Sequence, residues 1–401
     1  MRVVISHEAF DAFAGTETYM FTVAQELAAL GHDVLIYAQR TGPMADFARS
    51  HGLRATATAE ELPASCDAVL AQDAASAFEL AGRYPAAVRV LVAHSDFFAL
   101  QAPPQFEGVC QAIVVLNDRV GRYVEQLAFH APIVRLHQPI DLKRFRPSGH
   151  PPARPRRAVV IGNYVRGARA QLVEDACAKA ALHVSWVGSH AEPTARPEHA
   201  VADADVVIGL GRCVLEAMAA GRAAYVYGIA GGDGWVTTAS YEMLEADGFS
   251  GKLRGTPLGI DAMAHDLQGW NPGMGHANRE LACAHHDACA HAIDLVALIR
   301  RLGAGDGEPL AHADELARLV RLEWQTYTRL ASVLDQNGEL RDQLEHAQRV
   351  AERSHAAEQE WAATAHEAGR QLAALQNTRR YRLAARIASP LDLLRRRFRR
   401  S

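Results

Sequence analysis

The sequence predicts an α/β protein with two doubly wound parallel sheets and a helical C-terminal extension. Short apolar runs alternate with longer helical stretches, as expected for strands that helices bury on both faces. A second series of the same kind follows a proline-rich segment, and strand patterns end near Glu308. With 401 residues, of which 49% are hydrophobic, the chain can bury more than one core.

The first half opens on the strand-like run RVVIS at 2–6 and a predicted helix over 16–30. The strand pattern then recurs in DVLIYA, DAVLAQ, VRVLVAH and QAIVVLN. Prolines disfavour a helix in RPSGHPPARPR at 146–156, so we expect an extended connector there. We therefore assign 1–146 to the first domain.

The second half, 147–306, repeats the pattern in AVVIG, a predicted helix near 171–181, HVSWVG, ADVVIG and AAYVYG. Two such domains would leave a cleft between the carboxyl ends of their strands. Ligands bind at those ends in sheets of this type.

The extension, 307–378, is predicted to be almost wholly helical. Its spacings alternate between four and three residues, which is a heptad pattern, although two of the positions are polar. The positions are Leu340, Leu344, Ala347, Ala351, Ser354, Glu358, Trp361, Ala365, Ala368, Leu372 and Leu375. The extension would be a coiled coil, giving a homodimer or docking a partner, or a helix folded back on the body.

The basic tail, 379–401, carries nine arginines against Asp392, whereas the whole chain has a net charge of −4. It would be a solvated helix end or a contact with an anionic membrane surface. Nothing else in the chain supports nucleic-acid binding. No apolar run is long enough to span a bilayer, and the start lacks a secretory pattern. The scattered cysteines indicate a reducing compartment, so we expect a cytoplasmic protein held peripherally on the inner face of the membrane.

The motif IGLGRCVLEAMAAGRAAYVYG, starting at Ile208, indicates a strand, a glycine turn and a helix. Val214 occupies the third glycine position of a dinucleotide fingerprint, and no acid follows the next strand, so a nicotinamide site is not expected. Gly209 and Gly211 allow backbone N–H groups to approach a diphosphate. Glu216 would accept hydrogen bonds from a ribose diol or, more simply, compensate the helix dipole.

These residues resemble the C-terminal donor-site segment of bacterial glycosyltransferases with the GT-B fold, particularly the large retaining family of surface-polysaccharide transferases. AGTETYMFTVAQELAALGHDV is similar to the opening glycine loop, helix and strand of that family. VVLNDRVGRYVEQL resembles its last acceptor-domain strand and helix, and RLHQPIDLKRFRP its crossing segment. The similarity runs in order over roughly the first 300 residues.

The resemblance implies roles for particular residues. It assigns Glu216 to the nucleotide ribose, Gly15 to the donor diphosphate and Arg166 to the leaving diphosphate. His94 falls beside the transferred sugar, with a backbone-bonded strand cap as the alternative. The predicted catalytic residues are His94 and Arg166, and the predicted donor-binding residues are Gly15, Thr16, Asn163, Arg166, Gly209, Gly211, Arg212, Glu216, Gly231 and Gly232.

Three positions depart from the family pattern. Ile208 stands where the first of two paired glutamates would contact the sugar, Asn163 where an arginine is usual, and Ala14 where the first loop glycine is usual. The glycine-dense segment at 228–237 is predicted to be a loop that binds or covers the sugar, or else a flexible connector. CAHHDAC lacks zinc-ligand spacing and reads as helix, so no metal is expected.

The sequence thus predicts a metal-independent glycosyltransferase. Its substrates would be a nucleotide-diphosphate sugar and a cell-surface glycan or lipid-linked acceptor, with no separate cofactor. One alternative is an inactive scaffold of the same fold that binds nucleotide or a partner enzyme. The other is a sugar-nucleotide epimerase.

Overall fold

A computed structural model of the chain describes residues 1–127, 131–149, 152–162, 165–188, 194, 196–255, 258–379 and 382. The chain divides into two compact units, Met1–Trp324 and Gln325–Ser401. The first unit contains both α/β halves, and most of a single long helix makes up the described part of the second.

The first half folds into a seven-stranded parallel sheet with helices on both faces. Its strands are β1 (Arg2–Phe10), β2 (Asp33–Thr41), β3 (Arg54–Thr56), β4 (Ala68–Ala71), β5 (Val88–Ala93), β6 (Ala112–Val115) and β7 (Ile133–Arg135). Its helices are α1 (Gly15–Ala29), α2 (Pro43–Ser50), α3 (Ala74–Arg83) and α4 (Asp118–Gln126). The strand order is β3-β2-β1-β4-β5-β6-β7. Asp73 and Asn117 begin α3 and α4 by accepting hydrogen bonds from backbone N–H groups three residues on.

The second half forms a five-stranded sheet in the order β12-β11-β10-β8-β9. Its strands are β8 (Arg157–Ile161), β9 (His183–Val187), β10 (Val206–Gly209), β11 (Ala223–Gly228) and β12 (Gly231–Trp235). Its helices are α5 (Ala168–Lys179), α6 (Pro197–Asp203), α7 (Arg212–Ala219), α8 (Tyr241–Ala246), α9 (Ile260–Gln268) and α10 (Met274–His285). All pairs are parallel except β11 with β12. The predicted pair of doubly wound sheets is confirmed.

The predicted glycine loop at 228–237 is wrong, because most of it is strand. Gly231 and Gly232 belong to β12, which turns back on β11 as a short antiparallel hairpin. A side chain on Gly232 would collide with the Tyr227 ring, the Leu258 side chain and the Val226 carbonyl. Close packing therefore accounts for this glycine without a ligand.

The two halves are connected at a double crossing. Ile140 and Asp287 form an isolated parallel bridge, with the Ile140 N–H donating to the His286 carbonyl at 2.8 Å. Ile140 and Phe145 already pack in the second core. The chain therefore crosses within RLHQPIDLKRFRP, the crossing segment that the resemblance implies, and before the proline-rich segment that was predicted to be the connector.

The helix after the second crossing returns to the first half. This helix, α11 (Ala288–Leu302), buries Ala292, Leu295 and Ile299 in the core on one face of the first sheet. Its packing differs from the predicted boundary, which placed residues up to 306 in the second domain. The apolar face of α11 could not reveal from sequence which sheet it would cover.

The long helix α12 (Ala313–Gln376) begins on the first half. Ala317 is fully buried, and Arg321 pairs with Glu8, at 2.8 Å from Nε to Oε2, and with Glu79. The helical extension is therefore confirmed. Across the described residues, every helix is too short or too polar to cross a bilayer. The predicted basic tail lies outside the described residues except for Arg379 and Arg382.

Candidate functional site

The glycine turn after β10 is required by its own packing. A Cβ on Gly209 would lie 2.7 Å from the Ile161 carbonyl oxygen and would also collide with the Cys213 sulfur. Gly211 caps α7 with φ 57° and ψ −123°, a conformation that side chains disfavour. Its N–H donates to the Phe249 carbonyl at 3.0 Å. The N–H groups that α7 can offer to an anion are therefore those of its first turn.

A second turn of the same backbone conformation lies beside the first. Gly167 caps α5 with φ 54° and ψ −129°. The strands that lead to the two helices, β8 and β10, are neighbours, with Ile161 paired to Gly209. Both helix starts therefore lie at one edge of the second sheet, where their dipoles favour negative charge. Arg166, exposed, directly precedes Gly167, and Asn163 lies outside the described residues.

Glu216 is buried at 5% exposure and forms an ion pair within α7. Its Oε1 accepts a hydrogen bond from Arg212 Nε at 3.0 Å. Burial raises the pKa of the Glu216 carboxyl, against the opposing effect of Arg212 and Arg144. The side chain faces the protein interior, so compensation of the helix dipole alone does not describe it.

Arg212 connects the second half to the first. Its Nη1 donates to the Pro139 carbonyl and its Nη2 to the Thr22 hydroxyl of α1, both at 3.0 Å. One guanidinium thus holds Glu216, the crossing segment and the first half together. Because the arginine follows β10 and α1 follows β1, the carboxyl edges of the two sheets meet here.

Ile208 does not line this junction. It is fully buried and packs in one core of the second half with Val160 and Tyr225. Its neighbours in the sheet are Val160 and Tyr225 as well. Strand packing accounts for the isoleucine, since a carboxylate at this point would be buried in an apolar core.

His94 directly follows β5 and is held by a glutamine. Its Nε2 lies 2.7 Å from Gln72 Oε1, and the Gln72 amide nitrogen donates to the Leu70 carbonyl at 3.0 Å. The glutamine oxygen therefore accepts a hydrogen bond from the His94 Nε2–H group, which leaves Nδ1 as an acceptor. Burial, together with nearby His7, lowers the pKa of His94 to about 3, so the ring is neutral. The partner is a side chain, so the expected alternative of a backbone cap does not hold.

Two tyrosine–histidine chains flank the crossing segment. Tyr19 donates to His291 Nε2 at 2.9 Å, and His291 Nδ1 donates to the His137 carbonyl at 2.9 Å. In the second half, Tyr241 donates to His286 Nε2 at 2.9 Å, and His286 Nδ1 donates to the next carbonyl along, of Gln138, at 2.8 Å. Burial lowers the pKa of both histidines to about 4. Both rings are therefore neutral near pH 7.

The start of α1 carries the remaining predicted residues. Gly15 is exposed, and a Cβ there would meet nothing within 4 Å. The Thr16 hydroxyl accepts a hydrogen bond from Gln101 Nε2 at 3.0 Å. Open space at Gly15 leaves room for a ligand at this helix start.

His137, Glu245 and His286 bring one ligand atom each within 4.8 Å of one another. Hydrogen bonds explain this cluster without an ion. Arg135 Nη2 donates to both Glu245 oxygens, at 2.6 and 2.7 Å, and both nitrogens of His286 already have partners. A divalent cation would have to displace the Arg135 guanidinium, which already supplies the positive charge.

Ion pairs also join the two halves near His94. Asp96 pairs with Arg119 of the first half and approaches Lys252 of the second at 3.7 Å. Arg119 also donates to the Asp247 carbonyl at 3.0 Å. A separate polar surface groove, which includes Arg2 and Asp67, lies at the amino-terminal edge of the first sheet and away from this junction.

The sequence pattern pointed to Glu216, Arg212 and His94 but not to the residues that they contact. Tyr19 and Thr22 lie three residues apart on α1, and their polar groups on a buried helix face were the available signal. Gln72 follows a strand end, as His94 does. His291 lies in a helix that returns from the other half, and no local pattern indicates that return.

Comparison with solved structures defines the fold of this arrangement. A glycosyltransferase from Rickettsia africae matches at a TM-score of 0.50 and 12% identity, over 75% of this chain and 98% of that chain. The Anabaena protein HepE, solved with UDP and glucose, matches at 0.54 and 10%, over 75% and 99%. Sucrose-phosphate synthase from Thermosynechococcus elongatus matches at 0.50 and 13%, over 75% and 98%. The chain therefore has the two-domain GT-B fold.

No protein-family profile matches the chain. No curated protein matches it in sequence.

Proposed function

We propose that the protein is a glycosyltransferase. It moves a sugar from a nucleotide-diphosphate donor to a cell-surface glycan or lipid-linked acceptor. The observation that carries the proposal is the buried carboxylate of Glu216, which lies one helical turn beyond a glycine turn where the two sheets meet. Three solved structures of the same fold, two of them named as sugar-transferring enzymes or synthases and one solved with UDP and glucose, agree with it.

In this proposal the second half holds the donor. Glu216 accepts hydrogen bonds from the ribose, and its bond to Arg212 leaves room because an ionised carboxylate offers about four acceptor positions. The diphosphate lies at the helix starts after Gly211 and Gly167, with Arg166 and Arg212 supplying positive charge. Gly15 and Thr16 approach the diphosphate from the first half. Asn163 is assigned to the donor by its place in the sequence alone.

The neutral His94 lies on the side of the transferred sugar. Its Nδ1 accepts a hydrogen bond from a sugar hydroxyl while Gln72 fixes the ring through Nε2. In the transfer, an acceptor hydroxyl oxygen bonds to the anomeric carbon, the bond from that carbon to the diphosphate oxygen breaks, and the hydroxyl proton passes to the departing diphosphate. Arg166 and the helix starts stabilise the charge that develops on the departing nucleoside diphosphate.

The basic tail supplies the contact with the membrane. Each arginine near an anionic surface contributes about 1 kcal/mol of binding. Removal of residues 379–401 should release the protein from vesicles containing phosphatidylglycerol without changing donor binding. Sedimentation of the truncated protein with the same vesicles would contradict the assignment.

The decisive experiment measures binding of nucleoside diphosphates by calorimetry, followed by turnover with the matching nucleotide sugars. Glu216→Gln should weaken nucleotide binding by about fivefold to 150-fold if ribose bonds worth roughly 1–3 kcal/mol are lost. Glu245→Gln is the matched control, since Glu245 is also a buried acid paired with an arginine in the second half. Equal affinity of wild type and Glu216→Gln would remove the ribose role.

The second candidate is a scaffold of the same fold that binds nucleotide without turnover. It is favoured by the Arg212 bond that Glu216 already accepts, and by the core packing of Ile208. Stabilisation by a nucleoside diphosphate with no transfer and no donor hydrolysis would support the scaffold. An epimerase would instead convert the free donor with no acceptor present.

A further inference from the structure

The described part of α12 beyond Trp324 carries a long row of apolar side chains exposed to solvent. Leu330, Leu340 and Trp361 are 57%, 61% and 76% exposed, and Leu372 and Leu375 are similar. The helix is continuous to Gln376. Apolar residues on a surface helix normally face a partner, so this row indicates an interface.

The row follows one heptad register from Leu330 to Leu375. The a positions are Leu330, Asn337, Leu344, Ala351, Glu358, Ala365 and Leu372, and the d positions are Val333, Leu340, Ala347, Ser354, Trp361, Ala368 and Leu375. This alternation of three and four, interrupted by the polar residues Asn337, Ser354 and Glu358, is the pattern of a left-handed coiled coil.

Most of the charged residues lie away from the seam. The e and g positions between Leu330 and Leu375 hold no Asp, Glu or Lys, and Arg341 is their one arginine. The charged residues lie at b, c and f, and Glu358 is the exception at a. An identical helix therefore meets no like charge across its e and g flanks, because Arg341 faces Gln336 in a parallel pair.

We propose that this segment pairs with the same segment of a second copy as a parallel two-stranded coiled coil. Asn337 would face its counterpart, since an asparagine at a single a position selects register and the two-stranded state. The a, d, e and g positions amount to about 26 residues a side, within the roughly 20–30 of a stable interface. The pairing does not depend on the transferase activity.

The experiment is carried out on the full chain. Sedimentation equilibrium should give about twice the 43.5 kDa of one chain. Leu372→Glu at an a position should weaken association at least about tenfold, while Ala363→Glu at an f position leaves it unchanged. A monomeric wild type, or equal association of the two variants, would overturn the interface.

Orientation is tested by disulfide formation. Ala368→Cys at a d position should cross-link to its own counterpart under mild oxidation, whereas Ala363→Cys at an f position and the wild type should not. A dimer in which Ala368→Cys fails to cross-link is not parallel and in register. Asn337→Leu should produce higher oligomers beside the dimer, and an unchanged oligomer distribution would remove Asn337 from the seam.

Discussion

The two tyrosine–histidine chains beside the crossing segment are built alike but have different neighbours. In both, a tyrosine donates to a neutral histidine that donates to a backbone carbonyl. The first chain lies near Arg212, which raises the local positive charge and is 8% exposed in its side chain. The second lies near Glu245, whose partners Arg135 and His137 are 26% and 44% exposed.

The pKa shifts of the two glutamates reflect the same difference. Burial raises the pKa of Glu216, because Arg212 and the nearby Arg144 do not fully compensate for the lost water. Burial also acts on Glu245, but hydrogen bonds from His137 and Arg135 outweigh it and lower the pKa. The Glu216 carboxylate, which accepts a hydrogen bond from Arg212, therefore keeps more accepting capacity than the Glu245 carboxylate, which accepts three. This contrast supports the proposal that the donor binds at the first network.

Acidification should cause the largest loss of unfolding free energy, because both tyrosine–histidine chains require neutral histidines. Their pKa of about 4 lies below the ordinary 6.5, so the unfolded chain takes up protons first as the pH falls. Each histidine contributes roughly 3 kcal/mol to the free energy of unfolding. This contribution is fully present above about pH 6.5 and is lost as the pH falls to about 4. Urea unfolding at several pH values measures this loss. If His291→Gln keeps the full pH dependence in that range, His291 does not contribute to it.

Removal of each glutamate should lower the free energy of unfolding by different amounts in the two networks. Glu216→Ala leaves Arg212 as an unpaired buried charge and should cost about 3–5 kcal/mol of unfolding free energy. Glu245→Ala should cost about 2 kcal/mol, because Arg135 is partly exposed and keeps Asp118 as a partner. Denaturant titration of both variants measures the difference. Equal losses would mean that Arg212 is not sealed from water.

Removal of either tyrosine hydroxyl should lower the free energy of unfolding by about the same amount, and by less than removal of Glu216. Tyr19→Phe and Tyr241→Phe each leave a buried histidine acceptor without a donor, which costs about 1–3 kcal/mol. The expected contrast is in turnover, since the Tyr19 hydroxyl anchors a ring that contacts His94 edge-on with centroids 4.8 Å apart, and phenylalanine keeps the ring without that anchor. Tyr19→Phe should lower kcat while Tyr241→Phe does not. Equal kcat values in the two variants would contradict the assignment of the first chain to the site.

The smallest effect is expected at the exposed partner of the second network. Asp118 is 54% exposed in its side chain and accepts from Arg135 Nε at 2.9 Å. Asp118→Ala should change unfolding free energy by less than about 1 kcal/mol, as for other exposed ion pairs. A larger loss, measured by the same urea titration, would show that Asp118 and Glu245 act as one unit.

Local patterns predicted most of the secondary structure because strands buried on both faces and long helices have distinct periods. The runs at β1, β10 and β11 and the helix α1 were all anticipated within a few residues. The glycines that begin α7 were also found, since their backbone needs no distant partner to be recognised. The common feature is that each of these signals lies within one element.

The remainder depended on contacts between distant segments. Sequence alone did not predict that α11 would cover the first sheet or that Arg212 would reach Thr22, 190 residues earlier. The sequence predicts a loop at the glycines of β12. Their packing against Tyr227 and Leu258 depends on contacts between separate segments, which no local pattern shows. Ile208 stands where a sugar-contacting glutamate is expected, and its burial in the core likewise depends on segments distant in the sequence.

The double crossing restricts how the two halves can move. Both covalent connections pass side by side at Ile140 and Asp287, so a swing of one half against the other would take place about that line. The histidine bonds to carbonyls 137 and 138 lie close to this axis, where the displacement for a given angle is least. The Arg119 bond to Asp247 and the approach of Lys252 to Asp96 join the halves elsewhere and would break on swinging. The two halves are thus joined firmly along the crossing and by weaker polar contacts away from it.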